Sequence, residues 1–223
     1  EFRKHKVYLR VPNEECYQVT GKGPLGIRWI DINKGDDEFE EYRSRLVAKE
    51  IKFDKREDLF AATPPLEAIK ILLSAAVTEG VGFIKGQRLR GMKLDFIAVR
   101  RAYFQAKARR SVYVKLPEED YEAGKVGRLL KSMYGTRDAA QNWEAEYSEF
   151  MESIGFKAGC SSPCLFYNKD RNIRVVVHGD DFTVSGSLKG LESLGNELQQ
   201  VYEIKAGIMG PAKDHKKEQL VLH

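Results

Sequence analysis

Apolar residues along the chain recur with two periods, and the two divide it into strands and helices. Alternating or short clustered apolar runs predict strands over Val7 to Val11, Gly26 to Ile32, Tyr42 to Ile51, Lys93 to Val99, Val112 to Leu116, Leu165 to Tyr167, Val175 to Val177 and Tyr202 to Ala206. Gly21-Lys22-Gly23-Pro24 and Asn33-Lys34-Gly35-Asp36-Asp37 punctuate the first of these as turns. Helical spacing predicts three helices. The first opens at Thr63-Pro64-Pro65, with Thr63 as N-cap and Pro64 at N1, and turns an apolar stripe of Leu66, Ile69, Leu73, Ala76 and Val77 inward up to Gly80. The second runs from Ala139 to Ile154, buries Trp143, Tyr147, Phe150, Met151 and Ile154, and stops at Gly155. The third carries Leu188, Leu191, Leu194, Leu198 and Val201. Arg101 to Ala108 reads as helix or turn. Antiparallel strands backed by helices on one face make an α+β, two-layer fold.

His178-Gly179-Asp180-Asp181 interrupts two apolar runs, Ile173 to Val177 and Phe182 to Val184. A glycine free to take positive φ between β-branched residues reads as the tip of a β-hairpin, which holds two carboxylates side by side at a rigid turn. Gly-Asp and Asp-Asp pairs are also ordinary in solvated turns. Buried flanks favour a functional reading, because an acidic pair at the tip adds repulsion unless a divalent cation or a basic partner offsets it.

At 223 residues, 42% of them hydrophobic, the chain is long enough for one large or two small cores. Nothing in it approaches the roughly 20 consecutive apolar residues of a membrane span, and Glu1-Phe2-Arg3-Lys4-His5 begins no apolar signal region, so we expect a soluble, intracellular protein. Lys and Arg exceed Asp and Glu by only 37 to 33, but they cluster at Arg43 to Lys55, Arg100 to Lys115 and Lys213 to Lys217. Acidic residues gather at Asp36 to Glu41 and Glu118 to Glu122. This patchwork suits local polyanion contacts, and equally a set of solvated faces. Cys16, Cys160 and Cys164 lack the partners of a zinc site and read as reduced thiols. The absent initial Met and the strand-like ends, Leu220-Val221-Leu222-His223 among them, suggest a piece of a longer polyprotein.

Six segments then fall in a familiar order: Arg43-Ser44-Arg45-Leu46-Val47-Ala48-Lys49, the Pro-opened helix, Ala98-Val99-Arg100-Arg101-Ala102-Tyr103-Phe104, Leu130-Lys131-Ser132-Met133-Tyr134-Gly135, Cys164-Leu165-Phe166-Tyr167, and His178-Gly179-Asp180-Asp181. Together they resemble the reverse transcriptase of Ty1/copia-type retrotransposons across nearly the whole chain. The resemblance implies an RNA-directed DNA polymerase domain with fingers over about residues 1–92, palm over 93–206 with a fingers return near 117–137, and the start of a thumb connection at 207–223, without RNase H or integrase. It implies a primed RNA or DNA template, deoxynucleoside triphosphates and the rest of a polyprotein as partners, in cytoplasmic virus-like particles or the nucleus. It also implies Mg²⁺ or Mn²⁺ on three carboxylates, which activate the primer 3′-hydroxyl and stabilise charge on the phosphorus. Asp180 and Asp181 match two of the three. Arg43, Arg45 and Lys49 match a triphosphate contact, although their alternation equally fits a strand edge guarded by charge. Tyr103 matches the aromatic under the incoming sugar, and equally a core ring.

The match breaks at the third carboxylate. The family pattern places it five residues before the aromatic, and counting back from Tyr103 reaches Ala98. Asp95 lies three residues upstream of Ala98, an odd offset that points a strand side chain to the other face, about 10 Å away at ~3.3 Å per residue. Lesser departures are His178 and Gly179 before the aspartates, Ala140 and Gln141 where Pro and Arg are usual, and Glu50 for Gly. Two other classes stay open: a nucleic-acid-binding remnant without chemistry, and a metal-dependent phosphohydrolase built on His178, Asp180 and Asp181. The latter needs ligands that His5, His215 and His223, near the chain ends, are poorly placed to give.

Overall fold

A computed structural model describes residues 1–36, 38–51 and 59–219. Asp37, the far end of the first basic cluster and the strand expected at 220–223 lie outside them. In chain order the elements are β1 (Tyr8–Pro12), α1 (Asn13–Thr20), β2 (Ile27–Asn33), β3 (Tyr42–Ala48), α2 (Leu66–Val77), β4 (Lys93–Val99), α3 (Ala102–Gln105), β5 (Tyr113–Val114), β6 (Lys125–Leu129), α4 (Ala139–Ser153), β7 (Lys157–Ala158), β8 (Leu165–Asn168), β9 (Ile173–His178), β10 (Asp181–Gly186), α5 (Leu188–Val201), β11 (Ile204–Lys205) and β12 (Ile208–Met209). They form two compact units, each entered twice: Glu1–Ala61 with Tyr103–Glu146, and Ala62–Ala102 with Tyr147–His223.

The first unit holds a three-stranded antiparallel sheet, β1-β6-β5, and the two-stranded β2-β3 hairpin. Its core joins Val7, Leu46, Ala48, Phe104, Val112, Val114, Leu129 and Met133. β3 is shorter than expected and ends at Ala48, whose outward-facing N–H donates to Tyr134 O at 2.8 Å. Gly135 follows at φ +85° with its α-carbon against the Ala48 backbone, where a Cβ would stand 2.1 Å from the carbonyl oxygen. This close approach explains the glycine of the Tyr134-Gly135 motif. The chain also begins in a turn, not a strand, with His5 N–H donating to Glu1 O at 2.9 Å.

In the second unit one antiparallel sheet runs β11-β4-β10-β9-β8-β7, with β12 also on β4. Helices cover both of its faces, where the sequence pattern suggested one. Ile69, Leu72 and Ala76 of α2 pack on Leu94 and Val176. Phe166 and Phe182, which point to the opposite face, meet Tyr147 of α4 edge-on at 6.0 and 5.7 Å, and Leu191 of α5 lies on that side beside Gly186. The α2 stripe is accordingly rotated from the expected one, leaving Leu66 and Val77 exposed. Helix α2 starts two residues later than expected, after Pro65, with no side-chain cap from Thr63. A proline disfavours the helical region for the residue before it, so Pro65 keeps Pro64 out of the helix. Helix α4 ends as expected at Gly155, φ +86°, and α5 buries Leu191, Leu194 and Leu198 but not its end residues Leu188 and Val201.

Candidate active site and nucleic-acid surface

Strands β9 and β10 pair from His178↔Asp181 outward, so Gly179 and Asp180 alone make the turn. Gly179 takes φ +63°, and an added Cβ would meet nothing within 4 Å, so conformation and not space calls for glycine there. The turn is pinned to β4 by Val99 N–H, which donates to Asp180 O at 2.9 Å. On that strand Asp181 stands opposite Ala98, and Ala98 stands opposite Lys205 of β11. Directly opposed residues share a face. His178, Asp181, Ala98 and Lys205 therefore form one row across four strands, with Ala98 half-buried and the three polar residues exposed. Lys205 is a member of this row that sequence reasoning missed. Its strand was legible, but the strand it would lie beside was not.

Asp95 faces away from this row. It is opposite Val184 on β10 and Ile208 on β12, is only 3% exposed, and its Oδ1 accepts Gly207 N–H at 2.9 Å. Strands β11 and β12 keep one register along β4, and the Asp95 carboxylate takes up a backbone donor in the break between them. Burial pushes its carboxyl up from the ordinary value, against the opposing effect of the Gly207 and Phe96 N–H groups.

In the first unit Arg43 and Arg45 share a face of β3, opposite Ile32 and Ile30, whereas Lys49 lies one residue beyond the strand with its N–H bonded to Gly26 O. Tyr134 joins two of the expected residues. Its ring is 4.6 Å from that of half-buried Tyr103, and the Arg45 guanidinium stands over it at 5.7 Å. Arg43 is 3.7 Å from Glu41 at the exposed end of the hairpin. The Glu50 departure is absorbed by a cation: Arg110 donates to Glu50 at 2.5 Å and to Asp138 at 2.8 Å, and Glu50 also accepts Arg137 N–H at 2.8 Å. Asp138 in turn accepts from Asn142, which donates to Ser132. Burial pushes the Asp138 carboxyl up, but Arg110 and Asn142 more than offset it and hold it below the ordinary value. Trp143 and Tyr147 are buried.

The donor set falls short of the three carboxylates that the resemblance implies. A methyl group at Ala98 faces Asp181, and among the described residues no group of three or more His, Cys, Asp or Glu side chains could hold a metal ion. Cys16 and Cys164 are buried and Cys160 is exposed, all three as free thiols. Among the described residues no helix is long and apolar enough to cross a membrane.

Residues 16–215 match the family described as reverse transcriptase (RNA-dependent DNA polymerase). The chain belongs to the reverse transcriptase family. It is 26% identical over 205 residues to the retrovirus-related Pol polyprotein from transposon TNT 1-94 of Nicotiana tabacum, across 86% of this chain and 14% of that protein. It is 27% identical over 175 residues to the Pol polyprotein from transposon RE2 of Arabidopsis thaliana, across 73% of this chain and 11% of the relative. This reverse transcriptase domain is of the copia type and spans about a seventh or less of the polyproteins it matches.

Proposed function

We propose that the chain is the fingers and palm of a copia-type RNA-directed DNA polymerase whose nucleotidyl transfer is crippled at one position, Ala98. What carries this reading is the cross-strand pairing of Ala98 with Asp181 at the root of the acidic turn. In it, Asp180 and Asp181 are the two remaining metal-binding carboxylates, and Ala98 takes the place of the third. The palm, over residues 93–206, includes β4, β9 and β10. The fingers, over 1–92 with a return near 117–137, offer Arg43, Arg45 and Lys49 to a triphosphate. Tyr103, braced by Tyr134, lies under the incoming sugar, and Lys205 supplies positive charge to phosphate beside the acidic pair. The partners are a primed template, deoxynucleoside triphosphates and the rest of a Pol polyprotein, in cytoplasmic particles or the nucleus.

Two carboxylates bind Mg²⁺ or Mn²⁺ weakly, since Mg²⁺ dehydrates reluctantly and each missing charge lowers affinity. The test is Ala98→Asp, assayed for primer extension with a thumb segment supplied and for paramagnetic broadening by Mn²⁺. Without metal the new aspartate stands opposite Asp181 as a like charge and destabilises by roughly 0.2–1 kcal/mol. With metal, extension should rise at least tenfold over the parent chain, and broadening at the turn should strengthen and then vanish in Asp180→Asn. No gain in either readout sinks the assignment of Ala98.

A further inference from the structure

The β2-β3 hairpin ends in a loop where Asp36, Glu38, Glu40 and Glu41 flank Phe39 in sequence, and Phe39 is 78% exposed. The described residues of this loop are tied by side-chain hydrogen bonds. Asn33 Oδ1 accepts Gly35 N–H at 3.0 Å and Glu41 N–H at 2.9 Å, while Asp36 Oδ1 accepts the N–H groups of Glu38 and Phe39 at 3.0 and 2.6 Å. Gly35 sits so close to the Phe39 carbonyl that a Cβ would be 1.8 Å from its oxygen. A large ring held in water on a braced acidic loop contributes no burial to its own fold.

The second unit carries a surface of opposite character. A cleft of about 350 Å³ is lined by Val81, Phe83, Ile84, Arg90, Met92 and Arg171 among others. Val81 and Ile84, with Leu89 from the same segment, are 60–68% exposed, and Lys85, Arg88 and Arg90 lie among them. Arg171 is engaged by Glu197 at 2.7 Å, and Arg88 covers the Phe83 ring at 5.3 Å. The large exposed apolar side chains here are aliphatic and the Phe83 ring is covered by Arg88, so the cleft offers no open aromatic face on which a base would stack. Aliphatic walls and a basic rim suit an acidic loop with one apolar side chain.

We propose that the Phe39 loop of one copy of this chain docks in the Gly80–Met92 cleft of a second copy. Phe39 enters the apolar cleft, and Asp36, Glu38, Glu40 and Glu41 face Lys85, Arg88 and Arg90. One such contact leaves a free loop on one copy and a free cleft on the other, so association is head to tail and continues past the dimer unless the geometry closes. A loop in a cleft buries less than about 1,200 Å², the range of weak and transient contacts. Charges on the rim make the contact salt-sensitive.

Sedimentation of the full chain over a range of concentrations tests this with two variants, Phe39→Ser/Glu40→Lys for the loop and Ile84→Asp/Arg90→Glu for the cleft. All four positions are exposed, and circular dichroism checks that the fold is kept. The parent chain should self-associate, and each variant alone should do so at least tenfold more weakly. Their mixture should associate as 1:1 pairs, because together they hold one intact loop and one intact cleft. A parent chain monomeric at every concentration, or a mixture no better than its components, overturns the proposal. So does a cleft variant that loses affinity for a single-stranded oligonucleotide while self-association is unchanged, since the cleft is then a nucleic-acid surface. None of these readouts involves polymerisation, so their failure leaves the polymerase reading intact.

Discussion

Asp138 in the first unit and Asp95 in the second are almost equally hidden from water, at 5% and 3% exposure, yet their carboxyls move in opposite directions. Burial alone raises both. Asp138 meets a guanidinium that it shares with Glu50, and the pairing wins. Asp95 meets the Gly207 N–H, and burial wins. The first unit thus ties distant segments together with buried charge. The second stands on apolar packing over both faces of a sheet, and its buried acid replaces a missing ladder partner.

The largest effect expected from this contrast is in the second unit. Phe182, 1% exposed and edge-on to Tyr147, should cost ~3–5 kcal/mol as Phe182→Ala, read by urea unfolding. A loss under about 1 kcal/mol would mean that the sheet does not depend on that packing. Next is Arg110→Met, which strands Glu50 and Asp138 in the first unit. Removing one partner of a fully buried pair costs ~3–5 kcal/mol, and Arg110 is a third exposed, so roughly 2–3 kcal/mol is expected. Adding Asp138→Asn to Arg110→Met should then restore part of the loss.

At Asp95 the two substitutions should part. Asp95→Ala leaves Gly207 N–H without its acceptor and should cost about 1–3 kcal/mol. Asp95→Asn keeps an acceptor and removes a poorly solvated charge, so at neutral pH it should be neutral or stabilising. Equal losses for both would show that the hydrogen bond is not what Asp95 contributes.

Acid separates the units by sign. The depressed Asp138 contributes stability that is present above the ordinary carboxylate value of 3.8 and is lost as pH falls through its lower folded value. The raised Asp95 contributes stability that is fully present below that same value and is lost as pH rises through its higher folded value. On acidification, amide exchange around β4 should slow first, and exchange around residues 132–142 should quicken at lower pH. Arg110→Met should abolish the second change only. The smallest effect is at Lys205. Nucleic-acid affinity should fall steeply with salt, and Lys205→Ala should reduce the slope by about one unit, whereas a slope unchanged by this variant would remove Lys205 from the phosphate contacts.

Legibility followed the range of the forces involved. Strand β4 was legible to the residue, and α4, α5 and the β9-β10 turn nearly so, because each carries its own period and a glycine closes α4 and the turn. Helix α1 escaped notice because it buries only Cys16 and has no stripe to read. Strand β6, Lys-Val-Gly-Arg-Leu, lacks a β-rich pattern, and its place between β1 and β5 comes from partners more than a hundred residues upstream on one side. The Arg110 bridge joins Glu50 and Asp138, far apart in the chain, and no local pattern announces such a pair.

The sequence by itself determined family membership, the acidic turn, the alanine five residues before Tyr103, and by simple parity that Asp95 and Ala98 lie on opposite faces of one strand. Only the tertiary structure decided what stands across from that alanine: Asp181 on one side, Lys205 on the other, and Tyr134 beneath Arg45 and Tyr103 in the first unit. Periodicity is written into neighbouring residues by the geometry of a single strand or helix. Which strands lie side by side depends on how the whole sheet buries its two faces, and a stretch of chain read in isolation carries no record of that choice.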